Sequence, residues 1–157
     1  MKIQLWSVGK SHDEYVSEGI MEFTKRISKY YPVDWKILPS AKQTVNSMEA
    51  DIRKNEAASI IHSLHKDDFL VLLDEHGKLI SSPKLASLIE QWSNSSVRQL
   101  IFLIGGAFGV DETIKLRANY IWSLSDLVFP HQLVRLMLAE QVYRACTIIR
   151  NEKYHHE

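Results

Sequence analysis

Leu100-Ile101-Phe102-Leu103-Ile104, followed at once by Gly105-Gly106-Ala107-Phe108-Gly109, decides the fold. Five consecutive apolar residues match a parallel strand covered on both faces. The glycine turn leads to Asp111, an N-cap residue for a short helix-like piece. Strand, glycine turn and helix make an α/β unit. In such folds ligands bind beyond the carboxyl ends of the strands.

Working outward, Tyr120-Ile121-Trp122-Ser123-Leu124 forms a second apolar run. Ser125-Asp126-Leu127-Val128-Phe129 then leads into Pro130-His131 and a long apolar segment that reaches Arg150. On the other side, Asp68-Phe69-Leu70-Val71-Leu72-Leu73 reads as another covered strand, ending in Asp74-Glu75-His76-Gly77. Further back, Lys2–Val8 and Val33–Leu38 alternate as strands. Between them, Ser11-His12-Asp13-Glu14 and Asn46-Ser47-Met48-Glu49 have the spacing of capping boxes. The first predicts a helix ending near Tyr30-Tyr31 and the second a helix to about Leu64. Ser82-Pro83 reads as N-cap and first helical residue of a helix reaching about Trp92. Strand and helix thus alternate five times. This predicts one α/β domain over residues 1–157, with a mostly parallel sheet flanked by helices.

At 157 residues the chain can bury a proper core. Its 19 basic and 19 acidic residues argue against a partner gripped mainly by phosphate neutralisation. The lone Cys146 cannot form an internal disulfide and lies in an apolar helical stretch. It reads as a reduced, inert thiol, which fits the cytoplasm. Lys2 is followed by only a short apolar run with Gln4 inside it, unlike a signal peptide. Arg135, Glu140 and Arg144 interrupt the longest apolar segment, so no membrane span is expected. His62 and His65 lack a third ligand at helical spacing, and no metal is expected there.

The glycine loop presents backbone N–H groups to a ligand or serves as a tight turn without one. Asp74 and Glu75 by themselves read as a solvated loop. In the long helix, Glu140 and Arg144 have ion-pair spacing. His131 and Arg135 read equally as substrate-handling groups and as a helix-start histidine with a snorkelling arginine. So apolar a helix must be buried on most sides, and in a short chain the expected extra cover is a second copy. Tyr154-His155 reads either as a frayed end or as a docked aromatic and imidazole that stack on a base.

The motifs in combination go further. Val8-Gly9-Lys10, Ile104-Gly105-Gly106-x-x-Gly109, Leu124-Ser125, Phe129-Pro130-His131-Gln132-Leu133-Val134-Arg135, Glu140-Gln141-Val142-Tyr143-Arg144-Ala145 and Tyr154-His155 resemble the ribosomal RNA large-subunit methyltransferase H family. These are small members of the SPOUT class, and the resemblance spans the whole chain. It implies a C-terminal trefoil knot, S-adenosylmethionine as cofactor and a homodimer. It also implies methylation of N3 of a pseudouridine in 23S rRNA on the ribosome. By position it implies cofactor contacts at Leu73, Gly105, Leu124, Ser125, Asp126, Leu127, Val128 and Phe129. His131, Arg135, Tyr154 and His155 would serve the reaction. Two features depart from the family pattern. His156 stands where a Lys or Arg is common, and Phe108 is bulky for the glycine loop. Rival readings are a nucleotide-binding oxidoreductase and a non-catalytic regulatory module. The first lacks a glycine fingerprint after the first strand, and the second lacks acids there.

Overall fold

In the computed structural model, which describes residues 1–154, the Leu100–Ile104 run is the middle of the molecule. It forms β4 (Gln99–Ile104), whose residues from Leu100 onward are all buried. Such a strand is stable only with neighbours on both edges and cover on both faces. Its edges are taken by β1 (Lys2–Val8) and β3 (Phe69–Leu79). Outside these lie β2 (Val33–Leu38) and β5 (Tyr120–Ser123). The sheet has five strands in the order β2-β1-β4-β3-β5, and every pairing is parallel. The parallel α/β expectation holds. The ends of β4 and β5 flank β3 near Leu73, which places two exit loops and that part of β3 around one crevice.

Alternation along the buried strands feeds two cores. One face of β4 (Leu100, Phe102, Ile104) packs with α1 (Glu14–Ile27), α3 (Ser82–Asn94) and α5 (His131–Ile149). The other (Ile101, Leu103) packs with α2 (Glu49–Ser63) and α4 (Glu112–Arg117). Cys146 is buried in the first core, and burial pushes its thiol up to about 12, as an inert thiol requires.

Several local expectations are corrected. Neither capping box forms. Helix α1 starts after Asp13, and the Ser11 carbonyl and the Asp13 N–H instead bond to the Gln132 side chain on α5. A long-range partner outcompetes the local cap. Helix α2 starts after Met48 with no side-chain cap, while Ser47 bonds Thr44. Helix α1 ends at Ile27, short of Tyr30-Tyr31. The cap of α3 is Ser81, one residue before the expected Ser82. Strand β3 does not stop at Leu73. It bulges at Asp74–Gly77 and resumes, with Trp122 facing both Leu73 and Lys78. Asp74 closes the bulge by accepting from the His76 N–H at 2.9 Å. Gly77 permits it, because a Cβ there would stand 2.7 Å from the Trp122 backbone.

Helix α5 runs between α1 and α3, so its own chain covers part of it. Val142, Ala145 and Cys146 are buried, whereas Leu133 and Met137 are half-buried and join neither core. Its carboxyl end closes with Asn151 at φ 54°. The N–H groups of Asn151 and Glu152 bond back to Ile148 and Thr147. This is a Schellman turn, and it folds the tail against the helix it leaves.

Candidate active site

The exit loops of β4 and β5 and the bulge of β3 surround a cavity of about 300 Å³. Leu73, Gly105, Leu124, Ser125, Leu127, Val128 and Phe129, for which the resemblance implies cofactor contacts, line it. Asp126 is exposed and does not line it. Phe108 is half-buried and lies outside the lining, so it does not cover the pocket. The 124–129 loop is held by Ser125, whose Oγ accepts from the Leu127 N–H and whose carbonyl accepts from the Ser123 hydroxyl. This places Leu127 and Val128, both largely exposed, at the rim.

His131 sits at the first position of α5 and lines the cavity. Its Nε2–H donates to the Gly105 carbonyl at 2.6 Å. A carbonyl only accepts, so the neutral ring is fixed as the Nε2–H tautomer and its Nδ1 keeps a free lone pair. Burial pushes the His131 pKa below its ordinary 6.5; the bond to Gly105 opposes this and the nearby Arg135 cation adds to it. The arrangement gives a neutral imidazole at pH 7 whose position is tied to the glycine loop.

Arg135 is fully buried and does not line the cavity. It does not snorkel. Its Nη1 donates to His12 Nδ1 at 3.2 Å, while Nε and Nη2 have no hydrogen-bond partner among the described residues. Desolvation lowers its pKa, with Asp13 opposing. Its reach is therefore indirect, through its charge and through the loop that carries Gly9 and His12. Buried donors without partners cost stability. Arg135→Met is expected to melt no lower than the parent protein. It should raise the His131 pKa by removing a neighbouring cation. A two-dimensional NMR titration of the His131 ring, with a thermal melt, checks both.

Tyr154 docks on the second half of α5. Glu140, the residue it bonds, stands about 14 Å along the helix from His131. Tyr154 packs on Tyr143, donates to Glu140 Oε1 at 3.0 Å and lies under the Arg144 guanidinium. Glu140 and Arg144 form the expected ion pair, with nitrogens at 2.6 and 3.0 Å from one oxygen. One chain thus brings His131 to its cavity but neither Arg135 nor Tyr154. His155 and His156 lie outside the described residues. Among the described residues no cluster of metal-ligating side chains occurs, and no helix is long and apolar enough to cross a membrane.

Two residues near the site escaped sequence reasoning. His12 falls inside the capping pattern, and nothing local marks it as the partner of Arg135. Glu56, buried behind the glycine loop, stands four residues from both Ile52 and Ile60 on the inward stripe of α2. That spacing is a signal the sequence carries.

The family model described as "Predicted SPOUT methyltransferase" matches residues 1–155. The chain is 44% identical over 156 residues to a ribosomal RNA large subunit methyltransferase H of Cytophaga hutchinsonii, covering 99% of this chain and all of that protein. A protein of the same name from Flavobacterium johnsoniae is 41% identical over 157 residues, and one from Parabacteroides distasonis 38%. Both matches cover each chain fully. With the parallel sheet and the cavity beside β3, β4 and β5, these matches place the chain in the SPOUT methyltransferase family.

Proposed function

We propose that the protein transfers a methyl group from S-adenosylmethionine to N3 of a pseudouridine in 23S rRNA on the assembled ribosome. It works in the cytoplasm, as a homodimer whose C-terminal part forms a trefoil knot. The observation that carries the reading is the cavity beside three adjacent strands, with His131 bonded to its glycine loop. The relatives' shared name supports ribosomal RNA as the substrate.

The cavity suits such a cofactor. Apolar Leu73, Leu124 and Phe129 offer surface to an adenine and a thioether, and the carboxylates of Asp74 and Glu75 offer charge to a cation. When bound, S-adenosylmethionine supplies a methyl group on a good leaving group. The protein must then align the acceptor nitrogen and help remove its proton. His131 has the free Nδ1 for that proton, and its Nε2–H fixes it to the wall of the cavity. Docking on Glu140 and Tyr143 holds Tyr154 on α5 and off its own cavity. Leu133 and Met137 remain available to a second copy. These features support a dimer in which each tail, with Tyr154 and His155, completes the partner's site.

Calorimetry with S-adenosylmethionine and with NAD tests the cofactor. Binding of the first and not the second is expected. Labelled methyl transfer to ribosomes lacking this modification tests the substrate, with the position found by reverse-transcription arrest, since N3 lies on the pairing edge. Absence of S-adenosylmethionine binding, or label at another atom, sinks the reading.

A further inference from the structure

The glycine loop is gripped from both faces of the sheet. From one face, His131 of α5 donates to the Gly105 carbonyl. From the other, Glu56 of α2 lies directly on Gly106. A Cβ added to Gly106 would stand 2.4 Å from Glu56 Oε2, 3.0 Å from Cδ and 3.1 Å from Oε1. All three atoms belong to the end of the Glu56 side chain, so a methyl at position 106 fits only if the carboxyl moves aside. Gly106 is also part of the cavity wall.

The placement of Glu56 is unusual for its chemistry. The residue is 6% exposed, on the stripe of α2 that otherwise carries Ile52 and Ile60. A buried carboxyl is normally paired with a cation. Here, among the described residues, no cation acts on it. Burial raises its pKa, opposed only by the Ala41 N–H, which donates to Oε1 at 3.3 Å. An apolar residue would serve the core better. The carboxyl instead touches two irregular segments at once, the glycine loop and the stretch between β2 and α2 that contains Ala41.

We propose that Glu56 is a positioning residue that sets Gly106 against the cofactor cavity and ties the segment around Ala41 to the glycine loop. The proposal rests on the reading of the cavity as the S-adenosylmethionine site and adds the side chain that shapes its wall from behind. Glu56 touches neither cofactor nor substrate. Its effect runs through the backbone of residues 105–110.

A double-mutant cycle tests it, because the fit between Glu56 and Gly106 is steric. Glu56→Ala is expected to weaken S-adenosylmethionine binding on the order of tenfold, as misplaced contacts do. It should also speed amide exchange at residues 105–110 and around Ala41, measured without cofactor. Glu56→Gln keeps the shape and the acceptor for Ala41, and should stay within about threefold of the parent. Gly106→Ala forces the carboxyl aside and should weaken binding like Glu56→Ala. The double variant Glu56→Ala with Gly106→Ala should bind more tightly than either single variant, because the methyl enters the space the carboxyl left. Additive losses in the cycle overturn the proposal. So does a Glu56→Ala protein that melts lower yet keeps parental binding and exchange, for then the role is only structural. Should Glu56→Ala fail to fold, a Gly106→Ala protein with parental exchange and binding overturns it equally. A parent protein that binds no S-adenosylmethionine contradicts the proposed function, while the exchange measurement still decides the clamp.

Discussion

His131→Ala is expected to slow methyl transfer by about 10²- to 10⁴-fold, the usual contribution of a positioned acid–base group. The substitution removes two things at once. It takes away the lone pair on Nδ1 and also the Nε2–H that holds the Gly105 carbonyl. His131→Gln separates them, since a glutamine amide N–H can occupy the place of Nε2–H and has no basic nitrogen. The glutamine variant should bind S-adenosylmethionine like the parent and lose kcat almost as fully as alanine. A glutamine variant with parental kcat refutes the proton-accepting role. The pH profile gives a second check. The His131 pKa lies below 6.5, so the base is mostly neutral at pH 7, and the acid limb of kcat belongs below 6.5. Stability follows the same group. Below pH 6.5 the unfolded chain takes up the proton first, so this contribution to stability is complete above 6.5 and falls as the pH drops toward the folded pKa. His12, also depressed by burial and then by Arg135, acts in the same direction.

Mixing two inactive proteins is expected to restore activity from nothing. One is His131→Ala, and the other is truncated after Arg150 and so lacks Tyr154 and His155. If each site joins the cavity of one chain to the tail of the other, a mixed dimer has one site with both defects and one with neither. Random reassortment then makes about a quarter of all sites intact, and activity should return to about a quarter of the parent value. If each tail served its own chain, every site would keep a defect and mixing would restore nothing. Co-expression with two affinity tags, followed by a methyl-transfer assay on the doubly purified dimer, distinguishes the two; there every dimer is mixed, so about half of the parent activity is expected. The geometry favours recovery, because Tyr154 is docked on Glu140 and Tyr143, and Glu140 stands about 14 Å along α5 from His131 in the chain that carries both.

The sheet was legible in the sequence because a buried parallel strand must be apolar throughout. Leu100–Ile104 and Leu70–Leu73 have no other sensible place. The ends of the helices were not legible. The pattern at Ser11–Glu14 satisfies a local rule, yet Gln132, distant in sequence, bonds the same backbone groups. The bulge at Asp74–Gly77 was hidden for a related reason. Polar residues with a glycine signal an exit turn, and only the Trp122 backbone alongside makes the strand resume. The cavity lining was readable as three strand ends plus a resemblance. The burial of Arg135 was readable in principle, since it shares a helical face with Leu138, Ala139 and Val142. Its charge obscured that, because an arginine is seldom fully enclosed.

The central place of β4 governs when the site can exist during folding. Lys2 pairs beside Gln99, and Phe69 beside Leu100, so the strand that carries the glycine loop fits into a slot made by segments far earlier in the chain. Closing such distant parallel pairings is slow, because the entropy of long loops is lost before the contacts form. Until β4 enters, the chain has neither a continuous sheet nor an exit loop for His131 to hold. A nascent or partly refolded chain therefore has no half-formed cavity. The cavity can close only once the sheet is complete and the 124–129 loop and His131 have joined it.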